Sequence, residues 1–323
     1  MTSPNLPAAV VEHLAARLVA LRRVPLQAAQ AAMSAIYRDG GHSNAAVPDA
    51  TSALAYAIAR MPATYAACVR AFDLAALRLP GFLPRSVLDL GAGPSTATLA
   101  AAGVWPGLST AILVEPNPAL AAVASDLVAG STNLQSRSDA IDLSACLARS
   151  STRADVVVLS YVLAEQGENQ IADLTAQIAL HVDRLIVIVE PGTPAGYARI
   201  LKARAALSAA GLTIIAPCPH AEACPLPTGD WCHFSVRLQR SAAHMQLKEA
   251  SVPFEDERFS FVAAVRDTAA EPATARLIRP PEIEKGFADL ALCTATGLAS
   301  RRIRRRDRAA YKAAKSLVWG DEV

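Results

Sequence analysis

Two hydrophobic rhythms divide the chain. From residue 5 to residue 80, apolar side chains return every three or four positions, in VVEHLAARLVALR, LQAAQAAMSAIYR and SALAYAIARMPATYAACVRAFDLAAL. Residues at that spacing share one face of a helix, so the segment predicts helices, punctuated by Gly40-Gly41 and Pro48. From residue 86 the pattern changes to short, unbroken apolar runs. These are SVLDLG (86–91), TAILVEP (110–116), ADVVVLSY (154–161), RLIVIVEPG (184–192), LTIIAP (212–217) and FSFVAAVRD (259–267), with helix-length stretches between them. Val/Ile/Leu runs alternating with crossover helices predict an α/β fold with a doubly wound parallel sheet covered on both faces. The tail, 276–323, offers only short strand-like pieces, ARLIRP and DLALCT, and a closing helix, AAYKAAKSLVWG.

Composition sharpens this picture in three places. With 323 residues, 52% of them hydrophobic, the chain can bury a large core. The stretch Leu90 to Val114 carries no charge, but its four glycines and two prolines read as strand, loop, helix and strand rather than a membrane span. A formal charge of +2 selects no partner, whereas RRIRRRDR at 301–308 concentrates Arg301, Arg302, Arg304, Arg305, Arg306 and Arg308. Such a cluster binds phosphates and points to RNA; the plainer alternative is a solvated face or nonspecific basic tail. Arg237, Arg240, His244 and Lys248 are expected to extend the same surface. No secretory signal opens the sequence, and residues 6–23 resemble an organelle transit peptide only faintly, so a cytosolic monomer is expected.

The segment SVLDLGAGPSTATLA reads as strand, glycine turn and helix start. Glycines let a ligand approach the backbone, and the first N–H groups of a helix favour polar or anionic atoms. The dinucleotide fingerprint G-x-G-x-x-G fails, because Thr96 stands at its third glycine. A closer likeness is the S-adenosylmethionine loop of class I methyltransferases, with Asp89 before the loop, Gly91 and Gly93 in it, and Glu115 ending the next strand. A carboxylate at Glu115 suits the two ribose hydroxyls, since it accepts from both. Ser95 stands where a third glycine is usual and is expected to narrow the cofactor space. The acceptor side is less legible. Where an Asn/Asp-Pro-Pro-aromatic motif would follow the fourth strand the chain reads LSYVLAEQ, offering Tyr161 and Glu165, and VEPGTPAG brings Glu190 nearby.

Of six cysteines, three fall in PCPHAEACPLPTGDWCHF at 217–234. Cys218, Cys224 and Cys232, with Cys293 downstream, provide the four thiols that suit zinc or an iron–sulfur cluster. The prolines suit a loop organised by coordination, and His220 and His233 are rival ligands. Cys68 and Cys146 read as buried apolar residues of alanine-rich helices. A further alternative takes Pro217-Cys218 as the nucleophile dipeptide of a zinc-bearing RNA 5-methylcytosine methyltransferase, although it follows the wrong strand for that role.

In order along the chain, RMPATYAA, LDLGAGP, SYVL, VEPGTPAG, the cysteine segment with FSVRLQRS, EDERFSF, LC…G and YKAAKSLVWGD resemble the methyltransferase-like family of the small ribosomal subunit, from about residue 37 to 321. That resemblance implies a Rossmann-like domain binding S-adenosylmethionine at Asp89, Gly91, Gly93 and Glu115. It also implies a structural 4Fe–4S cluster on Cys218, Cys224, Cys232 and Cys293, with zinc as the fallback metal. The implied role is rRNA methylation or assembly of the small subunit; a non-catalytic RNA-binding assembly factor is the alternative. The implied organisation is a helical region (1–80), the cofactor domain (81–216), a cysteine module (217–258), the last sheet strand (259–275) and a basic extension (276–323) supplying Cys293.

Overall fold

The computed structural model describes residues 2–19, 28–29, 32, 46–149, 151–248, 251–266, 270 and 272–323. The expected helix over 26–38 lies almost wholly outside these residues. Its neighbours are present as α1 (Ala8–Val19) and the 27-residue α2 (Ala50–Ala76). Asp49 starts α2, its carboxylate accepting from the Ser52 N–H and hydroxyl at 2.8 and 2.9 Å. Such a cap satisfies donors that have no partner within the helix.

Then follow β1 (Ser86–Leu90), α3 (Thr96–Val104), β2 (Thr110–Val114), α4 (Pro118–Ser131), β3 (Gln135–Asp139), α5 (Leu143–Leu147), β4 (Ala154–Ser160), a short turn of helix at Leu163–Glu165, α6 (Ile171–Ala179), β5 (Val182–Pro191), α7 (Pro194–Ala209) and β6 (Thr213–Ala216). The chain continues through β7 (Phe234–Gln239), α8 (Ala242–Leu247) and β8 (Phe254–Val265). The main sheet runs β3-β2-β1-β4-β5-β8-β6, with β7 also on β8. The first five strands pair in parallel, and successive residues feed opposite cores. Val87, Val156 and Val158 face α2, α3 and α4, while Leu88, Val157 and Leu159 face α6 and α7. This is a doubly wound, Rossmann-like α/β fold of the class I methyltransferase type.

The expectation of a wholly parallel sheet needs one correction. β8 runs antiparallel to β5, β6 and β7. It enters between β5 and β6 from the far end of the sheet, so its apolar run, buried on both faces like the others, gives no sign of direction. β6 pairs with the end of β8 at Ala263–Val265, and β7 pairs with its beginning at Phe254–Phe259. The cysteine segment is therefore a detour of the chain between two stops on one edge of β8. β7 lies inside the span expected as a separate module, and β8 begins at Phe254 rather than 259.

A second, antiparallel sheet is built from β9 (Ala275–Leu277), β10 (Glu282–Ile283), β11 (Phe287–Thr294) and β12 (Gly297–Arg304), and α9 (Arg308–Ser316) follows it. Leu277, Leu290 and Leu292 form its small core with Ile303, Leu317 and Val323.

Candidate functional site

The order of strands reverses between β1 and β4, and open α/β sheets bind ligands in the crevice at such a point. A cavity of about 460 Å³ opens there, lined by Gly91, Gly93, Glu115, Asp142, Tyr161 and Glu165 among others. Gly91 has φ +76, and a Cβ on it would come within 2.5 Å of Val162 Cγ2, so both conformation and space require glycine. Gly93 (φ +53) donates its N–H to Glu115 Oε2 at 2.8 Å, and Glu115 Oε1 accepts from Asn117 N at 2.9 Å. Burial raises the Glu115 pKa, and these two N–H donors pull against it. The carboxylate thus sits fixed at the end of β2, locked to the glycine turn.

Asp89 is placed differently from the other three expected cofactor residues. It is 1% exposed and does not line the cavity; its Oδ2 accepts from Thr98 N at 3.1 Å and Thr98 Oγ1 at 2.7 Å, fastening β1 to the start of α3. Burial pushes its pKa up to about 6. Ser95 is corrected too. It adopts φ 60, but its buried hydroxyl donates to Pro94 O at 2.7 Å and lies 3.2 Å from Ala124 O, pointing into α4 and away from the cavity. The missing glycine therefore takes no space from a ligand.

On the far wall, Tyr161 holds φ 62 and donates its hydroxyl to Glu257 Oε1 at 2.7 Å. Glu190 is fully buried behind it. One oxygen accepts from Leu163 N at 3.0 Å and the other from Arg199 Nε at 2.7 Å, so it shapes the turn that lines the cavity. Burial carries its pKa up to about 7, against the pull of the Arg199 guanidinium. Tyr56, Arg60 and Thr64 complete the wall from α2, a contribution the sequence reading missed. The available signal was their spacing of four, which puts three polar groups on one face of a helix otherwise rich in alanine.

Cys218, Cys224, Cys232 and Cys293 line a second cavity, of about 40 Å³, with Tyr197, Arg204, His220 and Arg276. Cys218 follows β6, Cys232 precedes β7, and β11 brings Cys293, paired in register with Arg276 of β9. Two buried arginines hold the loop. Arg204 donates to the carbonyls of His220 and Glu222 at 2.7 and 2.8 Å, and Arg276 to that of Pro217 at 2.9 Å. Tyr197 donates its hydroxyl to Cys224 Sγ at 2.9 Å, and His220 Nε2 lies 3.5 Å from Cys293 Sγ. All six cysteines are free thiols. Burial pushes Cys293 up to about 12 and raises Cys218 and Cys232, while the Arg204 and Arg276 charges draw Cys218 and Cys293 down. Among the described residues, no three His, Cys, Asp or Glu side chains converge on a single metal-ion position. His233 is not in the lining; it sits between Trp231 and Trp319, ring centroids 5.3 and 4.6 Å away. Cys68 and Cys146 are buried elsewhere, in α2 and α5.

The arginine cluster lies on strand β12, the turn after it and the first residue of α9, with every arginine exposed. Arg302 pairs with Asp289 across the hairpin at 2.5 Å and stacks 4.0 Å above Phe287. Arg301, Arg304, Arg306 and Arg308 have no carboxylate partner among the described residues. The expected extension through Arg237, Arg240, His244 and Lys248 is corrected by charge. Asp256 holds Arg237 through two 2.7 Å bonds, while Glu255 pairs with Arg240 and Lys248 and lies 3.4 Å from the buried His244. That patch is nearly neutral. No helix among the described residues is long and apolar enough to cross a membrane.

Comparison with known proteins gives a consistent result. The family described as mitochondrial small ribosomal subunit Rsm22 matches residues 50–323. The human "Ribosome assembly protein METTL17, mitochondrial" is 28% identical over 287 residues, covering 83% of this chain and 61% of that protein. "Rsm22-cox11 tandem protein 2, mitochondrial" of Schizosaccharomyces pombe is 22% identical, covering 73% of this chain and 38% of that protein. The chain thus spans about three-fifths or less of the length of these relatives. Solved structures of similar outline include the magnesium protoporphyrin IX methyltransferase of Synechocystis with bound SAH (14% identity, TM-score 0.41, 64% of this chain and 85% of that one). The precorrin-6y C5,15-methyltransferase of Geobacter metallireducens is another (14% identity, TM-score 0.41, 61% and 87%). Neither is near enough to carry the fold, which the strand order fixes by itself.

Proposed function

The chain belongs to the Rsm22 family of the mitochondrial small ribosomal subunit, and we propose that it binds S-adenosylmethionine in the crevice at Gly91, Gly93 and Glu115 and acts on small-subunit rRNA during ribosome assembly. The observation that carries the cofactor reading is the meeting of Gly91, Gly93 and Glu115 on one cavity at the reversal of strand order. Two N–H donors hold Glu115 in place to accept the ribose hydroxyls, and Asp89 supports the loop from behind. In methyl transfer, an rRNA nucleophile would attack the sulfonium methyl carbon in line, the carbon–sulfur bond breaking to leave S-adenosylhomocysteine, with the protein supplying proximity and orientation. The exposed arginines of β12 are the surface offered to rRNA phosphates, at the cytosolic location expected from the sequence.

The four-thiol cavity is proposed to hold a 4Fe–4S cluster. Four thiols suit that group, and zinc is the fallback. All four thiols line one cavity, and the Arg204 and Arg276 charges there oppose negative charge on Cys218 and Cys293. When bound, such a cluster supplies structural cross-linking between the β6–β7 detour and the C-terminal sheet. Use of Cys218 as a methyltransferase nucleophile fits less well, since it lies on this cavity and not on the crevice.

Assembly without turnover is a second reading. It is favoured by Tyr161, which occupies the acceptor wall with its hydroxyl already donated to Glu257. Calorimetry with S-adenosylhomocysteine tests the cofactor, and transfer of tritiated methyl to small subunits from a deletion strain tests turnover. Binding with no label transferred would favour the second reading, and no binding would overturn the first.

A further inference from the structure

The crevice lining is unevenly charged. Its described residues include three acids, Glu115, Asp142 and Glu165, and one base, Arg60. Two of the acids are engaged by backbone: Glu115 by Gly93 and Asn117, and Asp142 by Ala145 N at 2.7 Å. Arg60 is exposed on α2, one turn from Tyr56 and one from Thr64, and has no carboxylate within ion-pair distance among the described residues. Its charge acts on Tyr161 and Glu257, whereas the charges acting on Glu115 are those of Glu165 and Asp89. Tyr161 follows β4 and is bonded to Glu257 of β8, whereas Glu115 follows β2 on the other side of β1, so Arg60, which lines the crevice from α2 and acts on Tyr161 and Glu257, belongs to the Tyr161 end.

A guanidinium left without a partner at one end of a ligand cavity matches an anion there. S-adenosylmethionine carries one anionic group, the α-carboxylate of its methionine moiety, and its adenosine carries none. With adenosine at the Glu115 end, the carboxylate falls towards Tyr161. Resting on the cofactor reading above, we propose that Arg60 binds the α-carboxylate of S-adenosylmethionine and so selects ligands that keep the amino-acid moiety.

Two ligands isolate this contact in the full-length protein: S-adenosylhomocysteine, and methylthioadenosine, which shares its adenosine and thioether but lacks the amino acid. The wild type should bind the homocysteine compound more tightly. In Arg60→Gln that affinity should fall by about tenfold or more, the range of a charge-assisted hydrogen bond, with methylthioadenosine binding unchanged. Arg60→Lys should recover part of the loss, and circular dichroism with a thermal melt should match the wild type, since Arg60 is exposed and has no carboxylate partner among the described residues. Equal weakening of both ligands, or of neither, overturns the assignment. Loss of rRNA-fragment binding with S-adenosylhomocysteine binding intact overturns it too and gives Arg60 to a phosphate. A wild type that binds neither nucleoside removes the cofactor reading itself, an outcome distinct from the others.

Discussion

Arg276 offers a direct test of how the C-terminal sheet is tied to the core. Its side chain is 1% exposed, yet it carries a guanidinium whose partners come from three places. Nε donates to Pro217 O at 2.9 Å, Nη1 to Gly320 O at 2.9 Å, and Nη2 to Glu322 Oε1 at 3.1 Å. Arg276→Met keeps much of the volume and removes all three bonds. Removing one partner of a buried ion pair costs about 3–5 kcal/mol, and each orphaned buried carbonyl about 1–3 kcal/mol. Glu322 can still reach water and Arg78, at 2.7 Å, so the lower end applies, a loss of about 3 kcal/mol. Against a total stability of about 5–15 kcal/mol that is a large shift in a urea titration. Trp319 adjoins Gly320, and its fluorescence should report the release of this segment. In a cycle with Glu322→Gln, the two changes should be coupled by about 1 kcal/mol or more. A midpoint shift worth less than about 1 kcal/mol, or additive effects, would refute the account of Arg276 as the pin between loop, strand and tail.

Four further outcomes follow from the geometry. Asp89 is raised from 3.8 to about 6, so its contribution to stability is full below pH 3.8 and is lost as pH rises through about 6. The loss is at most about 3 kcal/mol, and urea midpoints measured between pH 4 and pH 7 should fall less steeply in Asp89→Asn. Gly91→Ala, forced into φ +76 with Val162 Cγ2 at 2.5 Å, should cost about 1–2 kcal/mol and weaken S-adenosylhomocysteine binding, measured by thermal shift and calorimetry. Anaerobically purified protein should carry about four irons and four sulfides, lost in Cys→Ala at 218, 224, 232 or 293 and kept in Cys68→Ala and Cys146→Ala; one zinc without sulfide would sink the cluster reading. Arg304→Gln should weaken rRNA-fragment binding and flatten its salt dependence more than Arg302→Gln, because Asp289 already neutralises Arg302; filter binding across a salt series decides this.

Some parts of this fold were legible in the sequence for physical reasons. Strands buried on both faces, such as 154–161 and 184–192, announce themselves as unbroken apolar runs, because both cores demand hydrocarbon. β3 reads QSRSD; it is an exposed edge with no apolar pattern to find. β12 was hidden similarly, since its exposed arginines read as a tail rather than a strand. The glycine turn was legible because positive φ and close approach leave few residue choices at Gly91 and Gly93. The four-residue spacing of Tyr56, Arg60 and Thr64 marks a polar face on α2 but not what that face lines. The role of Arg60 arises only when α2 crosses the end of the sheet, just as the neutrality of Arg237 depends on Asp256, on a neighbouring strand.

The two cavities also differ in when they can exist. Every residue named in the crevice walls lies before Gly192, within one continuous stretch from Tyr56 to Pro191. The thiol cavity instead draws on both sides of β8 in sequence, and its fourth sulfur, Cys293, arrives only with β11. During synthesis the walls of the crevice can form before the segments after β5 are made. Any group that needs all four thiols must wait for β11 to leave the ribosome and lock to Arg276, two of whose own partners, Gly320 and Glu322, follow still later. Occupancy of that cavity therefore depends on the C-terminal sheet, whereas the walls of the crevice do not.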